Sequence, residues 1–291
     1  MFNPQKREKL LSIALPASLT ADYNLRDKTI KVGIIARIAA IYRVDEIFIY
    51  IDKYGVEDEG ELLNMLLKYC ETPQYLRKYV YKLSAFLRFA GLLPPLKIPS
   101  HVVTDDITRV KNGEFREGVV VKSNKKGSWI DIGFKKPYFI SQRIRKGERV
   151  TVRVYRENDE ELKLHIVSKD EVNLYWGYKV HYEYDNIVDL VRKSNADLVI
   201  ATSRYGHMIY NVIDELNEAI DRSNKILVLF GSPHEGLFEI CKRFNVELSK
   251  FAHFIVNTIP FQGCETVRTE EALASTLSIL NILPHIQTRK K

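Results

Sequence analysis

One turn holds the greatest density of reactive side chains. The stretch NTIPFQGCETVRTEEALASTLSILN, Asn257 to Asn281, opens as a loop around Pro260 and Gly263 and ends as a helix. A helix start needs one cap, yet this one carries Cys264, Glu265, Thr266, Arg268, Thr269, Glu270 and Glu271. Thr266 and Thr269 suit the exposed amides of a first turn, and Glu270 and Glu271 complement its dipole. Two further loops carry comparable groups. GSPHEG, Gly231 to Gly236, sets Ser232, His234 and Glu235 between glycines, and TSRYG, Thr202 to Gly206, precedes His207. His207 and His234 are each expected to begin a helix, where either is a proton acceptor or a cap-region residue. Cys264 has no Cys–His pairing signal and reads as a small, soft wall residue rather than a nucleophile. Arg37 lies in the apolar stretch KVGIIARIAAIY, where by itself it reads as a snorkelling or ion-paired side chain. A guanidinium keeps its proton, so Arg37 can hold a phosphate or stabilise negative charge but cannot act as a base.

These loops need a scaffold that brings them together. LLSIALP is a short apolar run, DKTIKVGIIARIAAIY is helix-like, and VDEIFIYID reads as a strand. EGELLNMLLKYC and QYLRKYVYKLSAFLRFA have apolar residues at helical spacing, the second with Leu76, Tyr79, Val80, Leu83, Phe86 and Leu87 on one stripe. Three strand–helix repeats close the chain: DLVIATS with HMIYNVIDELNEAI, KILVLFG with GLFEICKRF, and HFIVNTI with TEEALASTLSIL. Apolar strands alternating with helices predict an α/β domain whose sheet is mostly parallel and covered on both faces. Ligands bind such sheets beyond the carboxyl ends of the strands, where the three loops stand.

The middle of the chain reads differently. Between Asp105 and Asp170 there are 16 Lys and Arg against 11 Asp and Glu, while the rest carries 28 against 26. The surplus that makes the 291-residue chain +7 therefore sits mainly here, and a basic balance suits nucleic acid. REGVVVKS, GSWIDIG, KPYFI, RVTVRVYR and ELKLHIVS are short β-branched and aromatic runs between charged turns, which predicts a small barrel of the OB or S1 type. Trp129, Phe134, Tyr138 and Phe139 interleave with Lys125, Lys126, Lys135 and Lys136, a mixture suited to base stacking and phosphate contact. GLLPPLKIPS marks the entry. The expected division is a split α/β domain over 1–100 and 171–291 with the barrel inserted at 101–170. The apolar runs fall short of a membrane span, and the first residues lack the order of a signal peptide. Three widely spaced cysteines argue against a disulfide framework and a zinc site and suit a reducing cytoplasm.

LVLFGSPHEGL, NTIPFQGCETVRTEEAL and the Gly-and-Arg37 helix KVGIIARIAAIYRVDEI stand in an order that resembles the three motifs of the SPOUT superfamily of RNA methyltransferases. Within it, the chain is most similar to the archaeal and eukaryotic branch proposed to methylate uridine at N3, which carries a barrel insertion. The resemblance implies a C-terminal trefoil knot whose loops bind S-adenosyl-L-methionine. It also implies a homodimer that acts on RNA, with ribosomal RNA the expected substrate, and no metal. Carried onto this chain, it gives Thr202, Gly231, Ser232, Gly236, Asn257, Ile259, Pro260, Gly263, Thr266, Val267 and Thr269 as cofactor-binding, with Ile259, Pro260 and Val267 walling the adenine. Lys125, Lys126, Trp129, Lys135, Lys136 and Tyr138 become RNA-binding. Arg37 and Arg268 position substrate and stabilise charge, and Glu235 or His234 is the nearest proton acceptor. A Ser-Leu-Asn triplet common in ribose-methylating members is here Thr266-Val267-Arg268, and an acidic residue after Gly-Ser is here Pro233. Both departures favour base methylation over the alternative, ribose 2′-O methylation. A non-catalytic RNA-binding protein using the barrel is a further alternative. An enzyme acting on a small nucleotide is disfavoured, since neither a dinucleotide-binding fingerprint nor a P-loop occurs.

Overall fold

The computed structural model describes residues 4–102, 106–158 and 161–287. Asp105, one end of the basic segment, lies outside them. The chain forms two compact units, one of Met1–Lys6, Tyr69–Ala85 and Leu96–Gly177, the other of Arg7–Lys68, Phe86–Pro95 and Tyr178–Lys291. The first unit extends beyond 101–170 on both sides.

The larger unit begins with β1 (Leu10–Pro16), α1 (Leu25–Ile41), β2 (Glu46–Ile51) and α2 (Glu57–Glu71), the last helix ending in the other unit. Asn24 caps α1 by accepting the Asp27 N–H at 3.1 Å.

The smaller unit holds α3 (Gln74–Val80) and five strands, β3 (Glu114–Asn124), β4 (Gly127–Asp131), β5 (Tyr138–Ile140), β6 (Arg149–Arg156) and β7 (Leu162–Val167). They form an antiparallel sheet in the order β5-β4-β3-β6-β7. It curls until edge strands β5 and β7 approach each other. Val120, Ile130, Val152, Val154 and Leu164 fill its concave side. The long helix expected over QYLRKYVYKLSAFLRFA stops at Val80. Tyr81 to Ser84 carry no helix, Leu83 is fully exposed, and the chain passes from one unit to the other after Ala85. Of the apolar stripe expected there, only Leu76 is buried.

The larger unit resumes with β8 (Lys179–Asn186), α4 (Ile187–Ser194), β9 (Leu198–Met208), α5 (Ile209–Arg222), β10 (Lys225–Leu229), α6 (Leu237–Arg243), β11 (Phe254–Asn257), α7 (Thr269–Ile282) and α8 (Pro284–Gln287). Its six strands are all parallel, in the order β11-β9-β10-β1-β2-β8. Successive side chains alternate faces. Ala14, Phe48, Tyr50, Leu227 and Leu229 meet α4 and α6 on one side, while Ile13, Ile47, Ile226 and Val228 are buried on the other. Burial on both faces is why the central strands read as continuous apolar runs. Strand β8 (KVHYEYDN) escaped the sequence reading because it is an edge strand, largely polar and half exposed. No helix among the described residues is long and apolar enough to cross a membrane.

Glu46, at the start of β2, accepts hydrogen bonds from Ser12 Oγ at 2.9 Å and His181 Nε2 at 3.2 Å, and pairs with Lys225 Nζ at 2.7 Å. Burial works against its charge, but His181, Lys225 and Ser12 hold its pKa down at about 2 against an ordinary 4.5. A depressed carboxyl contributes stability that is present above the unfolded value and lost as pH falls through the folded one, here from about 4.5 to about 2. Glu46→Gln is expected to cost about 2 kcal/mol at pH 7 and much less near pH 2. Urea titrations at the two pH values check this.

Candidate active site

The carboxyl ends of β9, β10 and β11 frame a cleft of about 260 Å³. Strand β11 lies beyond β9 although it follows β10, so the chain reverses its winding at this edge, the usual place for a ligand in such sheets. The stretch Thr202–Gly206, expected as a loop, belongs to β9. Phe254 and Ile255 pair with Ile200 and Ala201, whereas Val256 and Asn257 pair with His207 and Met208, so Thr202–Gly206 stand out as a bulge. His207 accordingly ends a strand rather than beginning a helix. Gly206 closes the bulge: a Cβ there would lie 2.6 Å from the Ile255 carbonyl oxygen and 2.7 Å from the Val256 nitrogen.

Hydrogen bonds tie the three loops together. Thr202 Oγ1 donates to the Leu229 carbonyl at 2.9 Å. Asn257 Nδ2 donates to the Arg204 carbonyl at 3.1 Å while its Oδ1 accepts the Ile259 N–H at 3.0 Å. Arg204 Nη1 reaches the Glu265 carbonyl at 3.1 Å. In GSPHEG, Ser232 N–H donates to the Glu235 carbonyl at 2.9 Å, and Ser232 Oγ accepts the Glu235 N–H at 3.0 Å. A Cβ on Gly231 would meet that same Glu235 carbonyl at 2.9 Å. Gly231 is therefore required by the turn itself, which is a stronger demand than the approach of a ligand.

The crowded helix start divides its labour differently from the sequence expectation. The amide of Arg268 is capped by Glu271 Oε2 at 2.9 Å. Buried Thr269 turns its hydroxyl to the Gly231 carbonyl at 3.5 Å. Glu270 pairs with buried Lys31 of α1 at 3.2 Å. Neither threonine is the cap: Arg268 holds the N-cap position, and Glu271, three residues on, accepts its amide.

Of the residues expected to act here, Thr202, Gly231, Ser232, Glu235, Gly236, Asn257, Ile259, Thr266, Val267 and Thr269 line the cleft. Pro260, Gly263, Arg268, Arg37 and the exposed Cys264 are not among its lining residues. Arg37 Nη1 donates to the Pro95 carbonyl at 3.3 Å. Arg204, Tyr205, Glu239 and Gln262 also line the cleft and were missed. The signal that could have found the first two is a polar pentapeptide continuing an apolar strand. Glu235 is poorly placed to take a proton. Arg243 holds both its oxygens, at 2.5 and 2.8 Å, and this bidentate pairing keeps its carboxyl below the ordinary range. His234, beside it, pairs through Nε2 with Asp22 Oδ2 at 2.5 Å. Among the described residues no group of three or more His, Cys, Asp or Glu could hold a metal ion.

In the smaller unit, Lys125 and Lys126 form the tip of the β3–β4 hairpin, where Asn124 Oδ1 accepts the Lys126 N–H at 2.8 Å. Lys135 and Lys136 are exposed between β4 and β5. Tyr138, expected on the RNA-binding face, is 6% exposed and packs in the core against Phe134. Alternation along β5 turns the next residue, Phe139, outward instead. Phe139 meets Trp129 with ring centroids 5.0 Å apart, and Lys122 Nζ stands 4.8 Å from the Trp129 ring. The outward stripe is thus Lys122, Trp129 and Phe139 across three strands.

The profile of a family described as "Putative RNA methyltransferase" matches residues 10–280. The chain is 32% identical over 305 residues to the 28S rRNA (uridine-N(3))-methyltransferase of Homo sapiens, covering 94% of this chain and 78% of that one. It is 33% identical over 308 residues to the protein of the same description from Mus musculus, covering 95% and 77%. An uncharacterised protein of Halobacterium salinarum is 31% identical over 290 residues, covering 93% and 98%. A match that runs from β1 through most of α7 takes in both units and every strand that frames the cleft, so the chain belongs to this family of RNA methyltransferases.

Proposed function

We propose that this protein is an S-adenosyl-L-methionine-dependent methyltransferase that modifies N3 of uridine in ribosomal RNA, in the cytoplasm. The observation that carries the reading is that three loops expected to hold the donor meet in one cleft at the carboxyl end of a parallel sheet, in a chain similar along nearly its whole length to proteins described as uridine-N3 methyltransferases. The lining fits the donor. Ile259, Val267 and Ala272 offer an apolar wall for adenine, and Glu239 and Glu265 offer carboxylates to a sulfonium cation. When bound, the donor supplies an electrophilic methyl group. The chain's part is to hold the acceptor in line with it and to manage the proton that N3 carries at neutral pH.

The fold reading that goes with this is the SPOUT type. Its C-terminal segment passes through a trefoil knot, and the curled five-stranded sheet is an OB-like RNA-binding barrel. N3 lies on the pairing edge of the base, so the target must be single-stranded or flipped out, and the stripe of Lys122, Trp129 and Phe139 suits such RNA. The working unit is a homodimer. Ile34 and Ile41 of α1 are 44% and 58% exposed on the side that carries Arg37, which an apolar contact with a second copy would cover. Arg37 then serves the cleft of that second copy, and Arg268 stabilises charge on the base.

Incubation with labelled methyl donor and ribosomal RNA, followed by nuclease digestion and mass spectrometry, tests the assignment. 3-Methyluridine is the expected product. A 2′-O-methylated nucleoside would overturn the position, and RNA binding without labelling would overturn the chemistry.

A further inference from the structure

We infer that Asp22 and His234 form a dyad in which His234 Nδ1 receives the uridine N3 proton. The inference rests on the base-methylation reading above and deepens it. Nitrogen methylation needs a base near the acceptor, and with Glu239 and Glu265 assigned to the sulfonium, the remaining candidates in the lining, adjacent Glu235 and His234, are distinguished by their partners. Glu235 is clamped by Arg243 on both oxygens. A carboxylate so bound is a weakened proton acceptor. His234 lines the same cleft and, among the described residues, pairs through Nε2 alone, with Asp22 Oδ2 at 2.5 Å.

The tautomer follows from the partner. The His234 hydrogen bond holds the Asp22 carboxyl below its ordinary range against the opposing effect of burial, with the positive charges of Lys53 and Lys31 also acting. Asp22 is therefore an ionised acceptor, and Nε2 must be the nitrogen that carries hydrogen. Nδ1 keeps its lone pair, the arrangement in which a carboxylate orients an imidazole for base catalysis. The charged groups around the pair are Asp22, Glu235, Lys53 and Lys31, with Glu235 neutralised by Arg243. In the transfer, the N3 lone pair forms the new bond to the methyl carbon. The electron pair of the broken carbon–sulfur bond stays on sulfur, whose positive charge it cancels. The N3 proton passes to Nδ1 and then to water. His234 is the catalytic residue and Asp22 its positioning residue.

Three measurements test the dyad. Nitrogen NMR of the protein without RNA is expected to show His234 protonated at Nε2, and Asp22→Asn to give a mixture of tautomers. His234→Ala is expected to lower the single-turnover rate about 100-fold at neutral pH while leaving donor affinity within about twofold. Asp22→Asn is expected to lower the same rate with donor affinity again within about twofold, because the ring loses the carboxylate that orients it. An Nδ1–H tautomer in the wild type, or a folded His234→Ala or His234→Gln protein with an undiminished rate, overturns the dyad. Wild-type protein that makes no 3-methyluridine at all instead overturns the reading on which it rests.

Discussion

Arg149→Met is expected to destabilise the smaller unit by about 3–5 kcal/mol, the cost typical of removing one partner from a buried ion pair. The reason is a shortage of positive charge. Arg149 Nη1 donates to Glu71 Oε2 at 2.7 Å and Nη2 to Glu117 Oε2 at 3.0 Å, so one guanidinium serves two buried carboxylates. Glu117 also accepts from Trp176 Nε1 at 2.6 Å and Thr151 Oγ1 at 2.7 Å. Burial raises Glu71 above the ordinary carboxylate range even with Arg149 beside it. Burial opposes the charge on Glu117 too, but Lys169 and Arg149, with the Thr151 and Trp176 hydrogen bonds, hold its carboxyl below that range. Without Arg149 the Glu71 carboxyl binds its proton still more tightly folded than unfolded, so this part of the variant's stability falls as pH rises. The loss should be largest at pH 7 and partly recovered near pH 5. Both tryptophans of the chain, Trp129 and Trp176, lie in this unit, so their fluorescence during urea unfolding reports it selectively. Changing Glu71 and Glu117 to glutamine in the same background should restore much of the loss, and failure to do so would remove the charge explanation.

Gly206→Val is expected to reduce methyl transfer by roughly two to three orders of magnitude, with a loss of about 1–3 kcal/mol in stability. The atoms that a Cβ would strike, Ile255 O and C and Val256 N, are backbone atoms of β11, so no side-chain rotation relieves the contact. The bulge and β11 must separate. That movement displaces Arg204 from Glu265 and Asn257 from Arg204, and so loosens the loop from Thr258 to Arg268 against the rest of the cleft. Calorimetric titration with the donor should show weakened binding in a protein whose circular dichroism is unchanged. Full donor affinity in the folded variant would mean that the bulge does not shape the site. Gly231→Val is a poorer probe, because it breaks the Ser232–Glu235 turn as well as the approach to it.

The order of apolar strands and helices, the basic middle segment and the three loops could be read from the sequence because each is local. Burial on both faces makes a central strand apolar along its length, and a helix needs a cap at its start, so β1, β2, β9, β10 and the start of α7 declare themselves. The meeting of Thr202, Gly231 and Thr266 in one place follows from the parallel sheet, since carboxyl ends of parallel strands share one edge. What is set by partners far along the chain could not be read. Edge strand β8 is polar because only one neighbour covers it, and TSRYG looks like a loop although it is a bulge pinned by β11. Tyr138 and Phe139, both expected to stack on bases, are parted by a single step of register, which buries the first and exposes the second. Glu235 and His234 stand side by side in sequence, and only the fold decides that Arg243 occupies the first while Asp22, 212 residues from the second, orients its ring. A side chain's type fixes which chemistry it can offer, but its protonation and direction are set by the charges that tertiary structure brings beside it.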